Sequence, residues 1–250
     1  SPSRGLGDVY KRQSMNSAEV YIGENLGYEN ERILCGTAED FTETETALLS
    51  VMTVVNSDCE TLKRSGIPDR EFVRGNVPMT KSEVRSVIIS KLGISNDSVC
   101  WDIGSGTGSV SVEMALQCGS GRVYAVDRNP EAVSLTDKNK HIFKCDNIEI
   151  IGGNAMDNIE KLPVPDRVFI GGSGGELQQI IKMVFKKNRK AVIVVTAVSL
   201  ETLNKSLEGF RICGAETEIV QVSITRTKSV GEYTMLCGEN PVFIIKGTIL

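Results

Sequence analysis

Two glycine-rich segments contain the residues best suited to chemistry, and the first of them is "DIGSGTG" at positions 102–108. Glycine permits a sharp turn and lets a ligand contact the backbone, so three alternating glycines after an apolar run are typical of a nucleotide-like ligand. A carboxylate two residues before the first glycine could attract a cationic amino-acid head group. The predicted binding turn comprises Asp102, Gly104, Ser105, Gly106, Thr107 and Gly108.

Polar residues at the ends of the next two apolar runs extend this predicted site. Asp127 ends the run "RVYAVD", 19 residues after Gly108, where a carboxylate can accept hydrogen bonds from the hydroxyls of a ribose. The segment "GGNAMD" ends the following run and provides Asn154 and Ala155 as contacts for an adenine ring. The spacing therefore favours an adenosine-containing ligand.

The second glycine-rich segment, "FIGGSGGEL" at 169–177, lies between an apolar run and a helical pattern. Free backbone N–H groups and the helix dipole at such a position favour a negative group, so the segment could bind carboxylates of a second ligand. Alternatively, its glycines let the backbone pass close to the first ligand, and the two roles are compatible. The residues concerned are Gly171, Gly172, Ser173, Gly174 and Gly175.

Composition and charge disfavour several other functions. The net charge of −4 and the pI of about 5.3 predict no nucleic-acid partner, and no apolar run approaches the roughly 18 residues of a membrane helix. Seven cysteines without a CxxC pair predict neither a metal site nor a disulfide framework, which is typical of a cytoplasmic protein. The single histidine, His141, lies in a polar helix end, which disfavours a Ser-His-Asp mechanism.

Alternating strands and helices must position these residues. From residue 77 onward, apolar runs alternate with helical patterns, which predicts a parallel sheet covered on both faces. The predicted parallel strands are 99–103, 122–127, 147–151, 166–171 and 191–196. Two further strands, 216–227 and 241–247, are joined by too few residues for a helical crossover and should pair antiparallel. The fold class is therefore α/β and Rossmann-like, with a mostly parallel seven-stranded sheet and a terminal antiparallel pair.

The chain before residue 77 divides into three parts. Residues 1–14 have no periodicity and are interpreted as a leader foreign to the fold. Residues 15–60 contain two strand-like runs around an acidic, threonine-rich stretch, which is too little to form a core alone. Residues 61–76 are polar and are predicted to link this segment to a domain over 77–250.

The glycine turns, the acidic residues and the strand pattern together resemble the class I S-adenosylmethionine-dependent methyltransferases. A narrower resemblance, over about residues 66–247, is to the cobalt-precorrin-6B carbon-15 methyltransferase (decarboxylating) family. The segments that carry it are "GIPDREFVRGNVPMTKSEVRSVIISKL", "VCWDIGSGTGSVSVEMA", "GRVYAVDRNPEAV" and "DRVFIGGSGGEL". The segment "VYIGENLGYENERILCGTAED" is similar to the end of the carbon-5 methyltransferase of the tetrapyrrole methylase family, which is fused to the carbon-15 enzyme in some organisms.

The resemblance implies methyl transfer from S-adenosylmethionine to carbon 15 of a precorrin or cobalt-precorrin macrocycle in cobalamin biosynthesis. Carbon dioxide would leave the acetate side chain on carbon 12. The implied donor contacts are Thr80, Gly104 through Gly108, Asp127 and Ala155, whereas Asn154 replaces an acidic residue of many methyltransferases. The family resemblance also implies a homo-oligomer, namely a tetramer, and residues 15–60 as the remnant of a truncated first domain.

Some assignments stay open at this level. Arg74 and Lys81 are candidate partners for the acceptor's carboxylates, although either could be a solvated surface charge. No residue is assigned to an acid–base step of decarboxylation, because the protonated substrate ring can act as the electron sink. The alternatives are another small-molecule or RNA methyltransferase of this fold, a tetrapyrrole- or nucleotide-binding module without catalysis, and a nicotinamide-dependent oxidoreductase.

Overall fold

A computed structural model of the chain describes residues 18–41, 44–55 and 65–249. These residues form two compact units, and the smaller unit contains the residues up to 55 together with 144–146. The larger unit contains the other described residues from 65 onward. The predicted leader, 1–14, lies outside the described residues. Within the described ranges, no helix is both long and apolar enough to cross a membrane.

The smaller unit is built on a three-stranded antiparallel sheet. Its strands are β1 (Glu19–Glu24), β2 (Arg32–Thr37) and β3 (Ser50–Val55), in the order β2-β1-β3. The two predicted runs correspond to β1 and β3, whereas the sequence analysis did not predict β2. Among the described residues, the buried apolar cluster of this unit consists of Val20, Ile22 and Ala38. So few buried side chains can stabilise the sheet only weakly.

The larger unit is an α/β fold around a seven-stranded sheet. The strands of this unit are β4 (Val99–Ile103), β5 (Arg122–Asp127), β6 (Ile148–Gly152), β7 (Arg167–Ile170), β8 (Val192–Ala197), β9 (Glu216–Val222), β10 (Thr225–Val230), β11 (Tyr233–Gly238) and β12 (Val242–Thr248). The sheet has the order β6-β5-β4-β7-β8-β12-β9, in which β12 is antiparallel to β8 and β9 and the other pairs are parallel. The predicted fold class and terminal antiparallel pair are confirmed, and each predicted parallel strand lies within one residue of its observed bounds.

Helices alternate with the strands of the larger unit. They are α1 (Ser82–Leu92), α2 (Ser109–Gln117), α3 (Pro130–Ile142), α4 (Ala155–Ile159), α5 (Leu177–Lys187) and α6 (Leu200–Ile212). Local sequence fixes several of their starts: the Asn129 side chain accepts the Glu131 N–H at 2.9 Å, and Pro130 occupies the first turn of α3. Because β4 to β8 are parallel, the loops after their carboxyl ends meet at one edge of the sheet, and both glycine turns lie there.

A β-hairpin occupies the region between β9 and β12, where the sequence analysis predicted one long strand and a connection. The predicted strand 216–227 is wrong at its end, because β9 ends at Val222 and β10 pairs with β11 in a separate two-stranded sheet. The hairpin turn contains Gly231, with φ of +60°, followed by Glu232. A glycine in a two-residue connection between strand-like runs is the signal for a hairpin that the sequence analysis did not use.

Residues 65–76, the described part of the predicted linker, are not a free connection but pack on the larger unit. Ile67 and Phe72 are 2% and 5% exposed, and the Phe72 ring centroid lies 4.7 Å from that of Phe143. The N–H of Ile67 donates to the buried Glu113 carboxylate at 3.0 Å. Polar composition suggested a linker, but two apolar anchors and an internal carboxylate suffice to hold this segment in place.

Candidate functional site

A cavity of 540 Å³ opens at the carboxyl edge of the parallel strands. Its walls include residues from the ends of β4, β5, β7 and β8 and from the loop before α1. The sequence-predicted site residues that line it are Thr80, Gly104, Ser105, Gly106, Asp127, Asn154, Ala155, Gly171, Gly172, Ser173 and Gly174. The cavity therefore brings residues of both glycine turns together in one space, and its volume is in the range usual for small-molecule sites.

The first glycine turn adopts a backbone conformation that favours glycine. Gly104 and Gly106 have φ of +78° and +58°, in the left-handed region. A Cβ atom on Gly106 would lie 3.0 Å from the carbonyl oxygen of Pro78, which also lines the cavity. The N–H of Gly104 donates to the Val126 carbonyl at 2.8 Å, which ties the turn to the end of β5. Because these glycines have no side chains, a ligand in the cavity can contact the backbone of the turn directly.

Asp127 is oriented by the backbone on both sides of it. Its Oδ2 accepts the N–H of Gly106 at 2.9 Å, and its Oδ1 accepts the N–H of Asn129 at 2.9 Å. A carboxylate has about four acceptor positions, so Asp127 retains capacity for hydroxyl donors in the cavity that it lines. This geometry suits the ribose contact expected from the sequence.

Asn154 and Ala155 lie at the start of α4 beside the cavity. The Asn154 side chain caps this helix, since its Oδ1 accepts the Met156 N–H at 3.1 Å. Its backbone carbonyl accepts the Asn158 side-chain amide at 2.9 Å. The amide of Asn154 is therefore held in a fixed orientation, and both residues line the cavity as expected.

The expectation that Asp102 faces a cationic head group is corrected by the structure. Its side chain is fully buried and does not line the cavity; Oδ2 accepts the Ser111 hydroxyl, and Oδ1 has no hydrogen-bond partner among the described residues. Burial, opposed by the Ser111 hydrogen bonds and reinforced by Asp127, raises the pKa of Asp102 to about 7. The side chain turns inward under α2 because the last residues of β4 are covered by that helix.

Replacing Asp102 by asparagine should remove a pH dependence of folding stability. The folded pKa lies above the ordinary aspartate value of 3.8, so the unfolded chain loses this proton first and stability falls as pH rises from about 4 to about 7. At pH values above that window, the raised pKa of Asp102 lowers the free energy of unfolding by at most roughly 4 kcal/mol. Urea denaturation between pH 4 and 8 measures the effect, and Asp97→Asn at the exposed surface is the control. An equally steep loss of stability in both variants would contradict this role of Asp102.

Two further members of the predicted first turn also lie outside the cavity lining. Thr107 is 1% exposed, and its carbonyl oxygen accepts the Asn139 side-chain amide at 2.8 Å. Gly108 packs against Thr136, whose Cγ2 atom would lie 2.8 Å from a Cβ at this position. Both residues therefore hold the turn on α3 rather than contact a ligand.

The second glycine turn packs directly on the first. The N–H groups of Gly171 and Gly172 donate to the carbonyl oxygen of Ile103 at 2.9 and 3.2 Å. Ser173 and Gly174 line the cavity, and their N–H groups have no hydrogen-bond partner among the described residues. Gly175 does not line it. Gly171 and Gly172 therefore pack the turn against β4, whereas Ser173 and Gly174 offer free backbone N–H groups to the cavity.

The charged groups that line the cavity differ from those expected. Lys81 lines it as expected, whereas Arg74 does not; the Arg74 guanidinium lies 3.8 Å from the Asp69 carboxylate. Arg128 and Glu239 line it without having been predicted. Arg128 directly follows the last residue of β5, and this position at a strand end could have indicated a site residue. Glu239 follows the hairpin of β10 and β11, which was not predicted, so its position at the cavity could not be inferred from the sequence.

A buried arginine holds the loop that carries Thr80. Arg85 on α1 is fully buried, and its Nη1 donates to the carbonyl oxygen of Thr80 at 2.7 Å. Its Nε donates to Oε1 of the buried Glu113 at 2.6 Å, and a carboxylate oxygen of Asp69 lies 3.4 Å from Nη1. This network positions one wall of the cavity. This network was not predicted from the sequence, since charged residues are seldom expected in a core.

The strand order, the glycine turn after β4 and the carboxylate after β5 define a class I methyltransferase fold of the S-adenosylmethionine-dependent type. Within this class, the family model of the precorrin methyltransferase domain matches residues 71–248, and the chain belongs to that family.

Three relatives illustrate the relationship. A probable cobalt-precorrin-6B C(15)-methyltransferase (decarboxylating) from Pyrobaculum calidifontis is 45% identical over 183 residues, which are 72% of this chain and 94% of the relative. The crystal structure of precorrin-6Y C5,15-methyltransferase from Geobacter metallireducens is 40% identical, with a TM-score of 0.71 over 75% of this chain and 100% of that one. The structure of precorrin 8W decarboxylase from Methanobacterium thermoautotrophicum is 38% identical, with a TM-score of 0.69 over 73% of this chain and 100% of that one.

Proposed function

We propose that this chain methylates carbon 15 of a precorrin or cobalt-precorrin macrocycle and promotes loss of carbon dioxide from its carbon-12 acetate, in cobalamin biosynthesis. The observation that carries this function is a cavity lined by both glycine turns, which allows donor and acceptor to meet over the ends of β4 and β7. Family membership and the names of the relatives support the choice of acceptor.

S-adenosylmethionine, when bound, would supply an activated methyl group. The residues that would hold it are Thr80, Gly104, Ser105, Gly106, Asp127, Asn154 and Ala155. The bare backbone at Gly106 and the oriented carboxylate of Asp127 fit an adenosine with its ribose hydroxyls. Such a site acts by aligning two reactants, and this contribution alone can lower a barrier by roughly 7–11 kcal/mol.

The acceptor would lie beside the second glycine turn. The N–H groups of Ser173 and Gly174 are available for its carboxylates, and the remaining residues of the proposed segment, Gly171, Gly172 and Gly175, shape the turn. No side chain is assigned as catalytic acid or base. Among the described residues that line the cavity, the titratable side chains are Lys81, Asp127, Arg128 and Glu239. Protonation of the macrocycle itself would then provide the electron sink for decarboxylation.

Three features outside the site belong to the same proposal. Residues 15–60 correspond to the C-terminal part of a tetrapyrrole methylase domain. The enzyme is a cytoplasmic homo-oligomer, and the family resemblance favours a tetramer. Neither a nucleic acid nor a membrane takes part in the reaction, which agrees with the net charge of −4.

Replacing Asp127 by alanine should weaken donor binding. The change removes the acceptor proposed for the ribose and releases the N–H of Gly106, so we expect a loss of roughly 1.5–3 kcal/mol in affinity for S-adenosylhomocysteine. Isothermal titration calorimetry measures the loss, and Asp157→Ala, at a residue that does not line the cavity, is the control. Equal affinity of Asp127→Ala and the parent protein would remove this residue from the donor site.

Turnover distinguishes this function from that of a binding module. The purified protein should form S-adenosylhomocysteine from S-adenosylmethionine only when cobalt-precorrin-6B is present. Chromatography of the nucleoside products measures this directly. Binding of both ligands without product would instead indicate a non-catalytic module, and turnover with an RNA but not with the macrocycle would indicate the alternative methyltransferase.

A further inference from the structure

Arg128 is an exposed cation that lines the cavity. Among the described residues it makes no ion pair and no hydrogen bond, although it follows Asp127 directly in the chain. The Asp127 carboxylate instead accepts the backbone N–H groups of Gly106 and Asn129. The guanidinium charge is therefore free to meet a ligand.

The guanidinium reaches from the donor half of the cavity to the second glycine turn. Its backbone lies at the end of β5, but its Nη1 lies 3.2 Å from the position that a Cβ atom on Gly174 would occupy. β4 lies between β5 and β7 in the sheet, and the second glycine turn is hydrogen-bonded to Ile103 at the end of β4. The guanidinium and Gly174 therefore approach each other near that strand end. Gly174, with φ of +59°, leaves room for this approach.

The other charged side chains that line the cavity are Lys81, Asp127 and Glu239. Glu239 is paired with Arg226, whose Nε donates to Oε1 at 2.7 Å. Lys81 lines the cavity and, within the described residues, its ammonium has no partner. Lys81 and Arg128 are therefore two unpaired cations in the same cavity, and a planar guanidinium matches a carboxylate with two parallel hydrogen bonds.

We propose that Arg128 binds a carboxylate side chain of the acceptor. This assignment rests on the proposed function, because it takes a polycarboxylate macrocycle as the occupant of the acceptor half. Arg128 thus supports acceptor selection, and Lys81 adds a second, less directional positive charge.

Steady-state kinetics of Arg128→Gln test the proposal. With cobalt-precorrin-6B and S-adenosylmethionine as substrates, KM for the macrocycle should rise roughly 10- to 100-fold, as expected for the loss of charge-assisted hydrogen bonds. KM for S-adenosylmethionine and kcat should change less than about twofold. Arg128→Lys should recover part of the macrocycle affinity, since it keeps the charge and loses the planar fork.

The matched control is Arg189→Gln, which removes the same charge from the exposed loop at the amino-terminal edge of the sheet. A second comparison places a carboxylate beside Arg128: Gly174→Asp should lose more macrocycle affinity than the neutral Gly174→Asn. Aspartate and asparagine both tolerate the left-handed conformation, so this pair differs in charge alone. Added salt should reduce the difference between them.

The possible results distinguish a failure of the Arg128 proposal from a failure of the proposed methyltransferase function. A KM for S-adenosylmethionine that rises as much as the KM for the macrocycle in Arg128→Gln would show no selective contact with the acceptor and overturn the proposal. An unchanged KM for the macrocycle would make Arg128 a solvated surface charge and also overturn it. Failure of the parent protein to methylate cobalt-precorrin-6B would refute the proposed function itself, and the inference with it.

Discussion

Replacing Gly104 by alanine should destabilise the larger unit and abolish measurable donor binding. A Cβ atom at this position would lie 2.5 Å from the backbone nitrogen of Gly172 and 2.6 Å from its carbonyl oxygen. Backbone atoms cannot rotate away as a flexible side chain can, so the two glycine turns must separate. Overpacking of this kind and the left-handed φ of +78° together should cost about 2–4 kcal/mol of unfolding free energy.

Gly93→Ala is the matched control for the conformational part of this effect. Gly93 has φ of +57°, and no heavy atom lies within 4 Å of the position that a Cβ atom would occupy, so alanine there should cost only about 1 kcal/mol. Urea denaturation and titration with S-adenosylhomocysteine measure both variants. Equal destabilisation, with donor binding retained in Gly104→Ala, would mean that contact between the two turns is not required.

Replacing Glu113 by glutamine should be strongly destabilising, although Glu113 does not line the cavity. Arg85 and Glu113 are both fully buried, and the substitution leaves the guanidinium with the more distant carboxylate of Asp69 at 3.4 Å. Removing one partner of a buried pair typically costs about 3–5 kcal/mol, and we expect the lower end here because Asp69 remains. The loop at Thr80 depends on Arg85, so affinity for S-adenosylhomocysteine should also fall.

The surface pair of Arg122 and Glu149 provides the comparison for this prediction. Their charged atoms lie 3.5 Å apart, and the two side chains are 39% and 50% exposed, so Glu149→Gln should change stability by less than about 1 kcal/mol. Denaturation of both variants at neutral pH measures the difference. A Glu113→Gln protein as stable as Glu149→Gln would show that the buried network does not hold this part of the fold.

Much of the fold could be predicted because each parallel strand is a short apolar run with a clear end. Burial on both faces makes such strands visible in the sequence, as for Val99–Ile103 and Arg122–Asp127. The hairpin of β10 and β11 was missed because its side chains are exposed throughout and lack the apolar alternation of a buried strand. Residues 65–76 were misjudged because their buried anchors are few and their polar partners lie far away in the chain.

The candidate site was predictable where backbone geometry determines it. Gly104, Gly106 and Asp127 lie at strand ends, where the spacing of a turn fixes their position. The direction of a side chain is not fixed in this way: Asp102 turns inward to Ser111. The approach of Arg128 to Gly174 joins the ends of two strands that are not adjacent in the sheet, and such a contact depends on the three-dimensional strand order.

Mass spectrometry of the macrocycle tests the central claim most directly. Cobalt-precorrin-6B is incubated with the purified protein and S-adenosylmethionine that carries a deuterated methyl group. We predict a product that has gained one labelled methyl group and lost one carbon dioxide, and neither change should occur when S-adenosylmethionine is omitted. An unmodified macrocycle in the presence of a folded protein that binds S-adenosylhomocysteine would contradict the proposed function.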